Sequence, residues 1–378
     1  MKKLLLLIVV LCCFKPSYAQ KHLLPKFVRK MLFEQDTSKG SSFFILPVVA
    51  SAPETGFEGG GSALYSFYTD TVAPGQRVSN IFGYATLTTK GQSRLSLSTN
   101  YWTSQNKYHY TALVSYINFP FNFYGIGNET NSSDKDPLGH KRTRINLTAE
   151  KRFGKNIYLG VVAGGLDYKF NDKAPGGIYG QLPANSRPAG GSVLFAGPSF
   201  VFDNRNNNTY TTKGTLVTSY FQLMKGLYGI NGYRGGLFNI EASQFFSLTK
   251  KLVLGFNAQA QSLVGSKEPF FLLPSLGNDE IMRGYYNGRF RDRNLVAGQG
   301  ELRYRISNRF GIVGFLGWGE VFDKSFSFAK LKPTIGGGGR YFFDVEKGLS
   351  MRVDYAYGEQ RPGEARQSGL YLSLAEAF

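Results

Sequence analysis

Residues able to do covalent or acid–base chemistry are scarce in this 378-residue chain. Its three histidines, His22, His109 and His140, lie far apart in sequence, without the short paired spacings that hold zinc. Cys12 and Cys13 are the only cysteines. No Gly-x-Ser-x-Gly elbow supplies a hydrolase nucleophile. His109 could form a dyad with Ser98 or Ser115 on a strand surface, although a histidine facing a lumen or rim is the commoner arrangement. Asn131, Asp134 and Asp136 could gather calcium, but a solvated charged loop uses the same residues. The expectation is a protein that is not an enzyme, with no catalytic residue, metal or cofactor.

Recognition chemistry is better represented. The run Pro274-Ser275-Leu276-Gly277-Asn278-Asp279-Glu280-Ile281-Met282-Arg283-Gly284-Tyr285-Tyr286-Asn287-Gly288-Arg289-Phe290 centres on Met282-Arg283-Gly284-Tyr285. A guanidinium in an enclosed space clamps a carboxylate with two parallel hydrogen bonds, which lysine cannot imitate. Gly284 allows a tight turn beside it, and Tyr285 adds a flat anchor with a polar tip. Taken alone, Arg283 reads as an ordinary solvated loop arginine. Its surroundings change that reading.

Those surroundings alternate with period two. In Arg142 to Phe153 the even positions are polar and the odd ones mostly apolar. Leu252, Leu254, Phe256, Ala258 and Ala260 share one face, and Met351, Val353 and Tyr355 oppose Arg352 and Asp354. Such alternation over about ten residues marks transmembrane β-strands, apolar toward lipid and polar toward a lumen. The sequence divides into sixteen of them, near 43–51, 56–69, 78–89, 92–103, 107–118, 141–153, 156–170, 191–202, 213–224, 233–248, 251–264, 295–306, 309–322, 332–343, 349–358 and 367–378. An even count suits a closed antiparallel barrel. Tight links at 154–156, 249–250 and 307–308 then fall on one rim, and long segments at 119–140, 171–190 and 265–294 on the other. Links 70–77 and 203–212 are long for the tight side. Gly336 to Gly339 either clear wall space for a loop or bend a strand.

At the N-terminus, Lys2 and Lys3 precede the apolar run Leu4 to Phe14, and Ser17-Tyr18-Ala19 offers a cleavage site. Residues 1–19 read as an export signal, 20–42 as a periplasmic leader with a possible short amphipathic helix, and 43–378 as the barrel domain. Losing Lys2, Lys3 and Lys15 takes the formal charge from +18 to +15. An exported basic chain without zinc spacing or RNA-binding motifs points to anionic lipid and a cationic lumen, not to nucleic acid.

The long segment is where a resemblance becomes specific. Met282-Arg283-Gly284-Tyr285 resembles the Val/Ile-Arg-Gly-Phe/Tyr motif of the BamA-like bacterial surface antigen superfamily, which lies in the sixth outer loop between strands eleven and twelve of sixteen. Pro53-Glu54-Thr55-Gly56 is similar to the family's first outer turn, and Asp203-Asn204-Arg205-Asn206 with Lys213-Gly214 to its turn ahead of strand nine. Gly319-Glu320-Val321-Phe322 and Arg352-Val353-Asp354-Tyr355 are similar to strands thirteen and fifteen, and the terminal aromatic Phe378 to the insertion signal such barrels share. Two departures stand out: no periplasmic polypeptide-transport domain is recognisable, and Gly317 stands where an acidic partner for the loop arginine is usual. Asp354, inward by alternation, is the first replacement and Glu320 the second. The resemblance implies an outer-membrane barrel of a Gram-negative bacterium with its long outer loop folded into the lumen. It would assist assembly or translocation of polypeptide, or lipid, through a lateral seam, with outer-membrane lipid, polypeptide clients or a periplasmic accessory subunit as partners. A passive diffusion channel or structural barrel is the other reading.

Overall fold

The computed structural model describes residues 40–52, 56–184 and 188–378. The expected export signal, residues 20–39 of the expected leader, Pro53 to Thr55 and residues 185–187 lie outside the described residues. Sixteen antiparallel strands form one sheet in unbroken sequence order. They are β1 Ser42–Ala52, β2 Gly56–Phe67, β3 Ser79–Thr88, β4 Ser93–Trp102, β5 Tyr108–Phe123, β6 Asp136–Phe153, β7 Ile157–Asp172 and β8 Gly190–Asp203. The second half comprises β9 Gly214–Gly226, β10 Arg234–Ser247, β11 Leu252–Ser266, β12 Asn294–Arg305, β13 Phe310–Phe322, β14 Lys332–Asp344, β15 Leu349–Tyr357 and β16 Ser368–Leu374. Two further short strands, Ser275–Leu276 and Phe290–Arg291, pair with each other inside the segment between β11 and β12. Among the described residues no helix is long and apolar enough to cross a membrane.

Alternation decides which face each side chain takes. Along β6, Ile145 and Leu147 are exposed on the outer surface while Glu150 is buried inside. On β13, Ile312, Leu316 and Trp318 face out, and Val313 and Phe315 face in. A sheet exterior this apolar, around an interior lined with arginine and carboxylate, inverts the usual soluble distribution. Expected and observed strands agree closely except at three places. β5 and β6 run to Phe123 and from Asp136, with Pro120 and Pro137 inside the ladder opposite Gly139 and Asn122. β16 stops early.

The two long links on the tight rim have a reason. Residues 68–78 and 204–213 interlock beneath the lumen: Asn208 accepts from the Val78 N–H at 3.1 Å and donates back to the Val78 carbonyl at 3.0 Å. Arg77 meets Asp203 at 2.9 Å. Arg205 holds the same carboxylate with Nε and Nη2, both at 3.0 Å. Tyr210 then reaches across to the Phe342 ring, 5.0 Å between centroids.

The sheet rolls up, but no backbone ladder joins β1 to β16 among the described residues, unlike the closed barrel expected from the even count. At the tight rim, side chains tie β1 to the end of β14 and the turn that follows it. Ser42 of β1 donates to Asp344 and accepts from Lys347 Nζ at 2.8 Å. The Phe44 ring packs 4.3 Å from that of Phe343. Beyond Leu374 the chain leaves the sheet at Ala375, which takes a left-handed φ of 68°.

Candidate functional site

Residues 267–293 leave the loop rim and fold into the lumen, where burial of their apolar positions holds them. Leu276, Ile281, Met282, Tyr285 and Phe290 pack with Leu295, Ala297 and Val321 of the wall. Met282 has φ 58° and is fully buried. A β-branched residue, which the family pattern places here, would be strained in that conformation, whereas unbranched methionine adapts. Gly284 has φ 107°, and a Cβ there would lie 2.7 Å from the Tyr357 carbonyl carbon. Glycine is required on both counts. Tyr285 uses its polar tip twice, donating to the Pro333 carbonyl at 2.6 Å and accepting from the Glu359 N–H at 2.9 Å.

This packing delivers Arg283, fully buried with Asp354 and Glu301, to the centre of an ion cluster. Its Nη1 donates to Asp354 at 2.6 Å and its Nη2 pairs with Glu301. The guanidinium lies 3.6 Å over the Phe315 ring, so charge and π-face are both used. Asp354 also receives Arg340 at 2.6 Å and Arg352 at 3.0 Å. Glu301 receives Arg303 at 2.9 Å. Glu376 closes on Arg340 at 2.7 Å, and Asp279, from the loop itself, on Arg352 at 3.0 Å. Four arginines thus meet four carboxylates, with the buried charge compensated within the network.

The wall is shaped around these groups. A Cβ on Gly338 would stand 2.0 Å from the Asp354 carboxylate, and one on Gly336 2.4 Å from the Phe315 ring. These two glycines therefore make room for wall partners of Arg283. Gly339 has nothing within 4 Å. The loop also grips the last strand, because Tyr371 accepts from the Gly284 N–H at 2.8 Å and Ser373 donates to Asp279 at 2.7 Å.

Asp354 lies on Arg283 as its inward parity requires, but Glu320 does not meet it. Glu320 has the strand parity of Ile312, Leu316 and Trp318 but, unlike them, is buried, and it accepts from the Ser327 N–H at 2.9 Å. The second carboxylate is Glu301, which the sequence reading missed. The pattern Glu301-Leu302-Arg303, two charges flanking an exposed leucine, carries the signal for it. Gly317, where an acid is usual in the family pattern, sits opposite Gln299, one inward position along β12 from Glu301. Phe378 does not extend β16. It turns inward, its ring 5.7 Å from Phe245 and its carbonyl oxygen 3.0 Å from Arg303. His109 faces inward with Glu150 at 2.7 Å and Asn100 at 3.2 Å, and neither Ser98 nor Ser115 is its partner. Asn131 binds Asp134, while Asp136 caps the Tyr179 N–H at 2.7 Å, so the calcium grouping comes apart.

Outside the membrane-like wall, the loop acid Glu280 is pushed up to about 7, first by burial and then by Asp279 and Glu241.

No family model matches the chain, and no curated protein matches it either. Solved structures do. BamA from Haemophilus ducreyi, in a form lacking POTRA domains 1–3, superposes with a TM-score of 0.53 at 11% identity over 89% of this chain. CdiB from Escherichia coli gives 0.54 at 10% identity over 91%, and CdiB from Acinetobacter baumannii 0.53 at 10% over 90%. The chain spans 69%, 63% and 60% of those three chains respectively. It has the barrel fold of BamA and CdiB.

Proposed function

We propose that the chain is an outer-membrane barrel that assists insertion or translocation of polypeptide at a lateral seam between β1 and β16. The reading involves no catalysed chemical step. The observation that carries it is the seam: among the described residues no ladder joins β1 to β16, so each keeps one unpaired backbone edge, and β1 is held by side chains to the end of β14 and the turn after it. An unpaired edge is a template for an incoming strand. Pro47 in β1 fits such an edge, since it cannot donate to a ladder. The shared barrel fold and the apolar exterior support the membrane setting. The inward loop, bonded to β16 through Tyr371 and Ser373, supplies a rigid backing against which that strand can part from β1.

Cross-linking tests the seam. The only cysteines are Cys12 and Cys13, in the segment read as an export signal, so engineered pairs report with little background. A panel pairing Val48, Val49 or Ala50 with Tyr371, Leu372 or Ser373 should contain members that abolish client insertion when oxidised and recover on reduction. Full activity of an oxidised, cross-linked barrel would leave a channel or scaffold in its place. In planar bilayers the intact protein should pass little steady current, and deleting residues 267–293 should raise it.

A further inference from the structure

A second set of luminal arginines has no acid at all. Arg94 on β4 and Arg142 and Arg144 on β6 alternate with exposed apolar neighbours and so face inward. Arg291 reaches the lumen from the folded loop. Among the described residues, none of the four makes an ion pair, and the one hydrogen bond in the set runs from Arg291 Nη2 to the Gly288 carbonyl at 3.2 Å. The Nε atoms of all four are buried with no hydrogen-bond partner in the protein. Two of them rest on aromatic faces instead. Arg94 lies 3.7 Å over Phe119, and Arg291 lies 5.7 Å from Phe121 and 5.5 Å from both Phe123 and Phe270.

The sheet register gathers them. Arg94 aligns with Ile117, which aligns with Arg142, and Arg144 aligns with Ser115 one inward position along. His140, opposite Phe119 in the register, bonds its carbonyl at 2.7 Å and sets its ring 5.2 Å from that of Phe121, so the rings beside Arg94 and Arg291 adjoin one imidazole. Burial with no carboxylate beside it draws Arg291 down to about 10, so it remains a cation at neutral pH. Gathering three half-buried cations near a buried one is costly unless something of opposite sign joins them. Elsewhere in this lumen the chain supplies that partner from its own sequence.

We propose that Arg94, Arg142, Arg144 and Arg291 form a luminal binding site for a phosphoryl-class oxyanion. Several planar forks suit a multiply charged tetrahedral group better than a single carboxylate. The folded loop above and the interlocked turns 68–78 and 204–213 below favour a compact anion over a threaded chain. The site does not depend on the seam opening, so it stands or falls separately from the proposed function.

The test is calorimetry on the full-length protein in nonionic detergent, with inorganic pyrophosphate as one probe and phosphatidic acid in mixed micelles as the other. Saturable, salt-sensitive binding is expected. Arg142→Gln and Arg144→Gln should each weaken it about tenfold or more, the worth of a charged hydrogen bond. Arg289→Gln, at a residue bound to Thr130, should leave it unchanged. Pyrophosphate binding that lipid cannot compete away identifies a free phosphate as the ligand; binding of the lipid probe alone identifies a headgroup. Because a variant can fail to fold, phenylglyoxal modification of the unaltered protein gives a second readout. Pyrophosphate or the lipid should shield these four arginines and spare Arg289. Absence of saturable binding to both probes, or unshielded modification at all four positions, overturns the site.

Discussion

The two groups of luminal arginines hold the same number of cations in opposite company. Between β12 and β16, Arg283, Arg303, Arg340 and Arg352 interleave with Glu301, Asp354, Glu376 and Asp279. Around β4 to β6, Arg94, Arg142, Arg144 and Arg291 make no ion pair among the described residues; Arg94 and Arg291 lie on rings, and Arg291 also donates to the Gly288 carbonyl. The difference separates two uses of one side chain. A buried arginine that is fully paired costs little to keep and much to break, so it fixes geometry. Unpaired, it holds its charge available to something that is not part of the chain.

Breaking the paired group should give the largest effect. Arg283→Ala strands carboxylates in a dry site and should cost about 3–5 kcal/mol, read as a lowered midpoint of heat-modified gel migration. Arg283→Lys should recover only part of it. Arg291→Ala, which leaves no carboxylate behind, and Arg289→Ala, which leaves only Glu364 at 3.8 Å, should both fall well short, and equal losses at all three would dissolve the contrast. Next comes a wall test at neighbouring positions. Gly338→Ala drives a methyl into Asp354 and should cost about 1–3 kcal/mol. Gly339→Ala meets open space and should stay within about 0.5 kcal/mol.

The unpaired group sharpens the comparison by its sign. Arg142→Gln removes an uncompensated charge and should hold or raise stability, by about 1 kcal/mol at most; a loss as large as that of Arg283→Ala would mean a hidden partner. The smallest effect concerns the loop edge of the paired group. Glu280 binds its proton more tightly in the docked loop than at its ordinary value near 4.5. Docking is therefore strongest below about pH 4.5, weakens as pH rises to about 7, and is level above that. Protease cleavage of the loop should increase across that interval, and Glu280→Gln should remove the slope. Contact with lumen water keeps the amplitude low.

Much of this was legible because a wall between apolar and polar surroundings forces a period of two on every strand that crosses it. Sixteen strands and the inward parity of Asp354 follow from that rule. Glu320 was a misreading of the same rule, since its outward parity with Leu316 and Trp318 is plain in sequence. The full reach of β5 and β6 was not legible, since both continue through a proline, Pro120 and Pro137, whose tolerance depends on which neighbour the missing N–H would face. The inward turn at Ala375 rests on one backbone angle that no composition announces. The unpaired arginines were invisible for a deeper reason: isolation is a property of register, and Arg94 and Arg142 become neighbours only when β5 is placed between them.

Strand order carries a consequence for time. Every ladder of the large sheet joins strands adjacent in sequence, so most pairings close only short loops and the sheet can grow hairpin by hairpin. Arg283 stands apart from that economy. One of its acids lies 18 residues further along the chain and the other 71, so its cluster assembles only after β15 is in place. Contacts made that late lie beyond the folding barrier and act mainly on the rate of unfolding. The buried arginine therefore sets how long the folded barrel survives and has little bearing on how quickly it forms.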